Sequence, residues 1–103
     1  MRKVALVVMF LALVVVAAPL MADGAAVYKA KCAMCHGPDG AGQTPTGKSM
    51  KVRDLGSADV QKQSDADLTK IITDGKGKMP AYKGKLTPAE ITSVIEVIRK
   101  MKK

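Results

Sequence analysis

Both cysteines and the only histidine of this 103-residue chain lie within five positions, in the stretch CAMCHGPDG at residues 32–40. Thiol and imidazole groups bind transition metals, form disulfides and attach cofactors. A chain that concentrates all of them at Cys32, Cys35 and His36 has one place for such chemistry. The rest of the fold therefore has to present or surround this cluster.

The Cys-x-x-Cys-His spacing has three interpretations. A thioredoxin-like redox pair needs a βαβ context, and the sequence shows no alternating strand pattern. A structural zinc site needs four ligands, whereas this cluster supplies three and the chain has no second Cys/His pair. The third interpretation is covalent attachment of haem c, for which this spacing is the known signature.

Haem also suits the cluster physically. Cysteines three residues apart on a helical turn can bring both sulfurs to one side, within reach of the two vinyl groups at a porphyrin edge. His36 follows immediately with an imidazole for the iron. A large apolar macrocycle would replace a missing core, because Tyr28 and Tyr82 are the only aromatic residues beyond residue 22. We therefore predict one covalently bound haem c.

The first 22 residues have the organisation of a secretory signal peptide. Arg2 and Lys3 precede 19 uncharged residues, 4–22, which end in small side chains. We predict cleavage after Ala22 and export to the periplasm or an equivalent extracytoplasmic compartment. The alternative is a retained membrane anchor, because the apolar run approaches the ~20 residues that span a bilayer.

Residues 23–103 would then form one domain of 81 residues. That length is near the lower limit for a self-sufficient core, and domains of this size often depend on a cofactor, metal or disulfide. The mature charge is +6, from 15 basic and 9 acidic residues. Such a charge suits nucleic acid, anionic membranes or acidic proteins, and export argues against nucleic acid.

Three segments have helical patterns. AAVYKAKCA, at residues 25–33, is rich in helix-forming residues. Ser64 and Gly75 are the predicted N-cap and C-cap of a second helix. Thr87 caps a third, with Glu90 completing a capping box. The third helix carries one apolar stripe, formed by Ile91, Val94, Ile95, Ile98 and Met101.

Two segments rich in turn-forming residues, 37–57 and 74–86, are predicted as loops that wall a bound group. An iron bound by His36 needs a sixth ligand or an open site, and the chain has no second histidine. Met79, isolated in the stretch GKGKMPAY, is the preferred sixth ligand, and Met50 is the second candidate.

The chain resembles the class I c-type cytochromes, which are small, single-haem, Met-ligated proteins. The resemblance covers residues 23–103 and rests on DGAAVYKAKCAMCHGPDGAG, GKGKMPAYKGKLTPAEI and the terminal IRKMKK. It implies an all-α cytochrome c fold, with three to five short helices wrapped around one covalently bound haem. The N-terminal and C-terminal helices are expected to cross.

The same resemblance implies roles for single residues. Gly24 and Tyr28 match the glycine and the aromatic of the helix crossing, where Val97 stands in place of the aromatic that the family often has in its last helix. Pro45 matches the proline whose carbonyl holds the proximal imidazole, here His36.

These features predict a one-electron carrier and not an enzyme, because axial ligation by His36 and Met79 leaves the iron no open position for a substrate. One alternative is a peroxidase-like or gas-sensing haem protein with a labile sixth ligand. Another is a membrane-tethered electron relay, if residues 4–22 are retained.

The expected partners are redox proteins with acidic docking surfaces, and the protein is expected to be a monomer. Seven lysines fall near the Cys-x-x-Cys-His motif or in the predicted loops: Lys29, Lys31, Lys48, Lys76, Lys78, Lys83 and Lys85. A basic rim of this kind would steer an acidic partner to the haem.

Overall fold

The computed structural model describes residues 23–103, so the predicted signal peptide at residues 1–22 lies outside the described residues. The described chain contains six helical segments: α1 (Gly24–Lys31), α2 (Ala33–His36), α3 (Pro45–Met50), α4 (Ala58–Gln61), α5 (Asp65–Asp74) and α6 (Pro88–Lys100). The all-α prediction is confirmed. The six segments exceed the expected three to five helices, because the short segments α2, α3 and α4, of four, six and four residues, each count as a separate helix.

The first helix is shorter than predicted. It begins at Gly24, where the side chain of Asp23 accepts a hydrogen bond from the Ala26 amide at 3.2 Å. The backbone opens at Cys32, with φ −114°, and the chain resumes helical geometry only at Ala33. The expectation of one continuous helix over residues 25–33 is therefore wrong, and the break lies inside the cysteine motif.

The two later helices have the predicted caps. Ser64 Oγ accepts from the Asp67 amide at 3.0 Å, and Gly75, with φ +76°, is the C-cap of α5. At α6, Thr87 Oγ1 accepts from the Glu90 amide at 3.1 Å while Glu90 Oε1 accepts from the Thr87 amide at 3.0 Å. Both bonds of the capping box therefore form, which fixes where α6 begins.

Helix α3 lies inside the segment 37–57 that was predicted as a loop. Thr44 Oγ1 accepts from the Gly47 amide at 2.9 Å, and Pro45 occupies the first helical position. This is the Thr-Pro signal that also starts α6. The sequence contains this signal, but the glycines and polar residues around it favoured the prediction of a loop.

Helices α1 and α6 pack directly against each other, as the resemblance implied. A Cβ atom added at Gly24 would collide with the backbone carbonyl of Ser93 in α6. Tyr28 is buried beside this contact, and Val97 is half-buried against the core. The core is formed by Tyr28, Leu55, Val60, Leu68, Ile72, Leu86, Ile91, Val94, Ile95 and Ile98.

Four of the five predicted stripe residues of α6 belong to this core, and Met101 packs against it.

Over residues 23–103, no helix has both the length and the apolar character needed to cross a membrane.

Candidate haem site

A cavity of about 440 Å³ opens beside the cysteine motif. The motif residues Cys32, Cys35 and His36 line it, and so do both candidate sixth ligands, Met50 and Met79. The remaining wall is mostly aliphatic and includes Leu55, Val60, Leu68, Ile72, Val94 and Ile98. The fold therefore brings together five of the predicted site and candidate-ligand residues around a space suited to a large apolar group.

The donor set in this wall fits a c-type haem. Cys32 and Cys35 are half-buried and do not form a disulfide, so both sulfurs are available for thioether bonds. Burial, and secondarily the charge of Cys35, raises the pKa of the Cys32 thiol to about 11. A redox-active Cys-x-x-Cys pair has a lowered thiol pKa instead. The local chemistry thus argues against the thioredoxin-like interpretation.

The imidazole of His36 is held by a backbone carbonyl. Its Nδ1 atom lies 3.3 Å from the carbonyl oxygen of Arg53. Because a carbonyl can only accept, this bond places the proton on Nδ1 and leaves the Nε2 lone pair for a metal. Burial lowers the pKa of His36, and the bond to Arg53 partly opposes that shift. The neutral ring is the form that binds iron.

The expected role of Pro45 is wrong in this structure. Pro45 begins α3, where the carbonyl of a helical residue faces the amide four residues further on. The carbonyl beside His36 belongs to Arg53, in the segment after α3. No side-chain signal marks Arg53, because the interaction uses only its backbone oxygen.

The loop before α3 supports the motif in a way that the sequence did not indicate. The hydroxyl of Thr44 lies 2.8 Å from the carbonyl of Met34 and 3.0 Å from that of Cys35. A Cβ atom at Gly47 would collide with the Cys35 carbonyl. The first turn of α3 therefore packs directly on the backbone of α2.

Met79 lies in a tight turn. The Met79 amide donates to the Lys76 carbonyl at 3.0 Å, and the Lys76 amide donates to the Met79 carbonyl at 3.2 Å. Gly77 permits the turn with φ +57°. A Cβ atom at Gly75 would lie 2.7 Å from the Met79 carbonyl, so the turn also packs closely on the end of α5.

Met50 is less constrained. It is the last residue of α3 and lines the cavity, whereas Met79 lines the cavity and also packs against the hydrophobic core. The fold therefore brings both methionines to the cavity wall. The core contact favours Met79 as the residue with the better-defined position.

Comparisons with known proteins agree with this site. The family model described as "Cytochrome C oxidase, cbb3-type, subunit III" matches residues 19–98. Cytochrome c6 of Leptolyngbya boryana is 40% identical over 73 residues, which cover 71% of this chain and 82% of that protein. Cytochrome c6 of Anabaena variabilis is 39% identical over 75 residues, covering 70% of this chain and 80% of that protein.

This chain belongs to the class I c-type cytochromes. Among solved structures, the KustC0563 c-type cytochrome shares 36% sequence identity with a TM-score of 0.73, covering 79% of this chain and 99% of that one. Cytochrome c6C from Synechococcus sp. PCC 7002 shares 30% identity with a TM-score of 0.59, covering 76% and 92%. The resemblance seen in the sequence is thereby confirmed.

The family membership fixes the cofactor and the activity. This cytochrome carries covalently bound haem c with its iron, and it is a single-haem electron carrier that exchanges electrons with redox partners. The prediction of one covalently bound haem c and the prediction of an electron carrier are both confirmed at this level.

Proposed function

We propose that this cytochrome carries one electron at a time with His36 and Met79 as axial ligands and with Cys32 and Cys35 as the attachment points of its haem. When bound, haem iron supplies a one-electron redox couple. The observation that carries the proposal is the convergence of these four side chains on one largely aliphatic cavity.

The protein's own contribution is to hold the two ligands in place. The Arg53 carbonyl keeps the His36 ring in the tautomer with a free Nε2. The turn at residues 76–79 and the core contact of Met79 hold the thioether at the cavity wall. With both axial positions filled there is no position for a substrate, so we propose an electron carrier without enzymatic activity.

The axial ligand is tested by replacing the two methionines separately. Met79→Ala is expected to retain covalent haem, to lose the long-wavelength sulfur-to-iron absorption band of the oxidised protein, and to have a lower reduction potential. Met50→Ala, the matched control at the same cavity wall, is expected to keep the band. Absorption spectra and redox titrations measure both.

The reverse pattern would make Met50 the ligand and contradict the assignment. A high-spin oxidised spectrum in the unaltered protein would instead favour the peroxidase-like or gas-sensing alternative with a labile sixth position.

We also propose that the partners have acidic docking surfaces. Five basic residues and no acidic residue are among those described as lining the cavity: Lys31, Lys51, Arg53, Lys76 and Lys78. Three described acidic residues form ion pairs with basic residues that do not line the cavity, as Asp59–Lys62, Asp65–Arg99 and Asp54–Lys103. The charged residues that line the cavity, here called the basic rim, are therefore all of one sign.

This basic rim differs in membership from the one expected from the sequence. Lys31, Lys76 and Lys78 belong to it, whereas the other four expected lysines are exposed elsewhere. Lys51 and Arg53 join it because the segment after α3 runs along the cavity.

We further propose that the domain begins near Asp23, after removal of residues 1–22 as a signal peptide, and that the protein is an exported monomer. N-terminal sequencing of the native protein tests the cleavage. A retained segment 4–22 would favour the membrane-tethered relay.

A further inference from the structure

One hydrogen bond joins two separate segments of the cavity wall. The hydroxyl of Tyr82 donates to the carbonyl of Lys31 at 3.0 Å, and both residues line the cavity. Tyr82 lies three residues after Met79, and Lys31 is the residue immediately before Cys32. The bond thus connects the segment that carries Met79 with the segment that carries the cysteine motif.

The Lys31 carbonyl accepts this bond because α1 ends at Lys31. In a continuous helix it would accept from the amide of Cys35, four residues on. The Cys35 amide donates to the Cys32 carbonyl instead, at 3.3 Å. The break at Cys32 therefore leaves a helix-terminal carbonyl that needs a donor, and Tyr82 supplies it.

The hydrophobic core holds part of the Met79 loop, residues 75–86, but the other described hydrogen bonds of the loop reach only α5. The Tyr82 amide donates to the Ile72 carbonyl and the Lys83 amide to that of Thr73, both at 3.0 Å, which fixes the loop to α5. Its remaining hydrogen bonds among the described residues are internal or to the end of α5. Among the described residues, the Tyr82 hydroxyl is the hydrogen-bonding group that ties this loop to the end of α1.

We propose that Tyr82 is a positioning residue whose hydroxyl holds the Met79 loop against the end of α1 and so sets how readily an external ligand displaces the Met79 sulfur. The inference rests on the proposed function, in which Met79 is the sixth ligand. Without this bond the loop keeps its attachment to α5 but loses its link to α1. Movement of Met79 away from the cavity then costs less free energy.

The test compares two tyrosine variants of the haem-loaded protein. Tyr82→Phe removes one hydroxyl and keeps the ring. Tyr28→Phe is the matched control, because the Tyr28 hydroxyl also donates to a carbonyl, that of Gly37 at 2.6 Å, but has no bond to the Met79 loop. Imidazole is titrated into the oxidised protein, and its binding is followed by loss of the sulfur-to-iron band.

Tyr82→Phe is expected to bind imidazole about fivefold more tightly than the unaltered protein, the size expected for one neutral hydrogen bond. Tyr28→Phe is expected to change this affinity by less than about twofold, although it lowers stability toward denaturant. Hydrogen exchange at the Met79 amide should accelerate in Tyr82→Phe relative to the amides of α5.

An imidazole affinity of Tyr82→Phe within about twofold of the unaltered protein would overturn the inference. Equal shifts in both tyrosine variants would also overturn it, since Tyr82 would then contribute only to general stability. Failure of the proposed function is a separate result, namely retention of the sulfur-to-iron band in Met79→Ala.

Discussion

Gly24 allows α1 to pack closely against α6 because it has no side chain. It lies at the start of α1, buried against the backbone of Ser93, and an added Cβ would overlap a carbonyl group that belongs to α6. Backbone atoms in the middle of a helix cannot move aside as a flexible side chain can. The closeness of α1 and α6 therefore depends on this one residue.

Replacing Gly24 by alanine is expected to lower the free energy of unfolding by about 1–3 kcal/mol, the usual cost of overpacking a close contact. Alanine has the better helix propensity, so any destabilisation reports the collision with Ser93. Denaturant unfolding of the haem-loaded protein measures it. Ala30→Ser, an exposed change in the same helix, is the control, and equal stability of Gly24→Ala and the unaltered protein would contradict the close packing.

Helix α6 is the element on which most of the core depends. Its inner face supplies Ile91, Val94, Ile95 and Ile98, and its first turn is held by the reciprocal Thr87–Glu90 bonds. The cap itself does not belong to the core. It fixes the residue at which α6 begins, and the helix that follows carries the core side chains on its inner face.

Thr87→Ala removes the hydroxyl that caps α6 and is expected to lower the free energy of unfolding by about 1 kcal/mol. Thr92→Ala is the matched control, because the Thr92 hydroxyl bonds to the Pro88 carbonyl within the exposed face of the helix. Its loss is expected to change stability by less than half as much. Thermal unfolding followed by circular dichroism compares the two variants. Equal losses of stability in both would contradict a special contribution of the cap.

At the scale of the whole molecule, the haem supplies part of the hydrophobic core. Seven of the ten buried hydrophobic residues of the core line a cavity of about 440 Å³. Without haem, the aliphatic side chains that line this open cavity stay in contact with solvent, and their burial no longer contributes to the stability of the domain.

Cys32→Ala or Cys35→Ala is therefore expected to reduce strongly the amount of haem-loaded protein that accumulates. Met34→Ala, inside the same motif but with a side chain that is 76% exposed, is expected to accumulate normally. Haem staining and intact mass after export measure the yield. A stably folded, haem-free mature chain seen by circular dichroism would contradict the argument.

The basic rim is also a property of the whole molecule, because its members come from α1, the segment after α3 and the Met79 loop. Electron transfer with an acidic partner should slow as salt rises, since charges are screened beyond ~10 Å at 0.1 M ionic strength. Lys76→Glu with Lys78→Glu should flatten this dependence. Stopped-flow kinetics across ionic strength measure it.

The matched control for the rim is Lys100→Glu with Lys102→Glu, which makes the same change in net charge at exposed residues that do not line the cavity. This pair is expected to have the smaller effect. A rate that is independent of salt, or equal effects of the two double variants, would leave the rim without a role in docking.

The sequence by itself determined the features that depend on neighbouring residues. The spacing of Cys32, Cys35 and His36 identified the cofactor, and the caps at Ser64 and Thr87 located α5 and α6. Such signals are readable because the groups that interact lie three or four residues apart, where helix geometry fixes their relative positions.

Only the tertiary structure decided which carbonyl groups meet the functional side chains. His36 pairs with Arg53 and not Pro45, across 17 residues, and Tyr82 pairs with Lys31 across 51 residues. In both cases the acceptor is a backbone oxygen, which every residue type has and which no side-chain pattern marks. The path of the chain around the cavity brings these oxygens to the ring and the hydroxyl, and that path is set by the packing of all six helices.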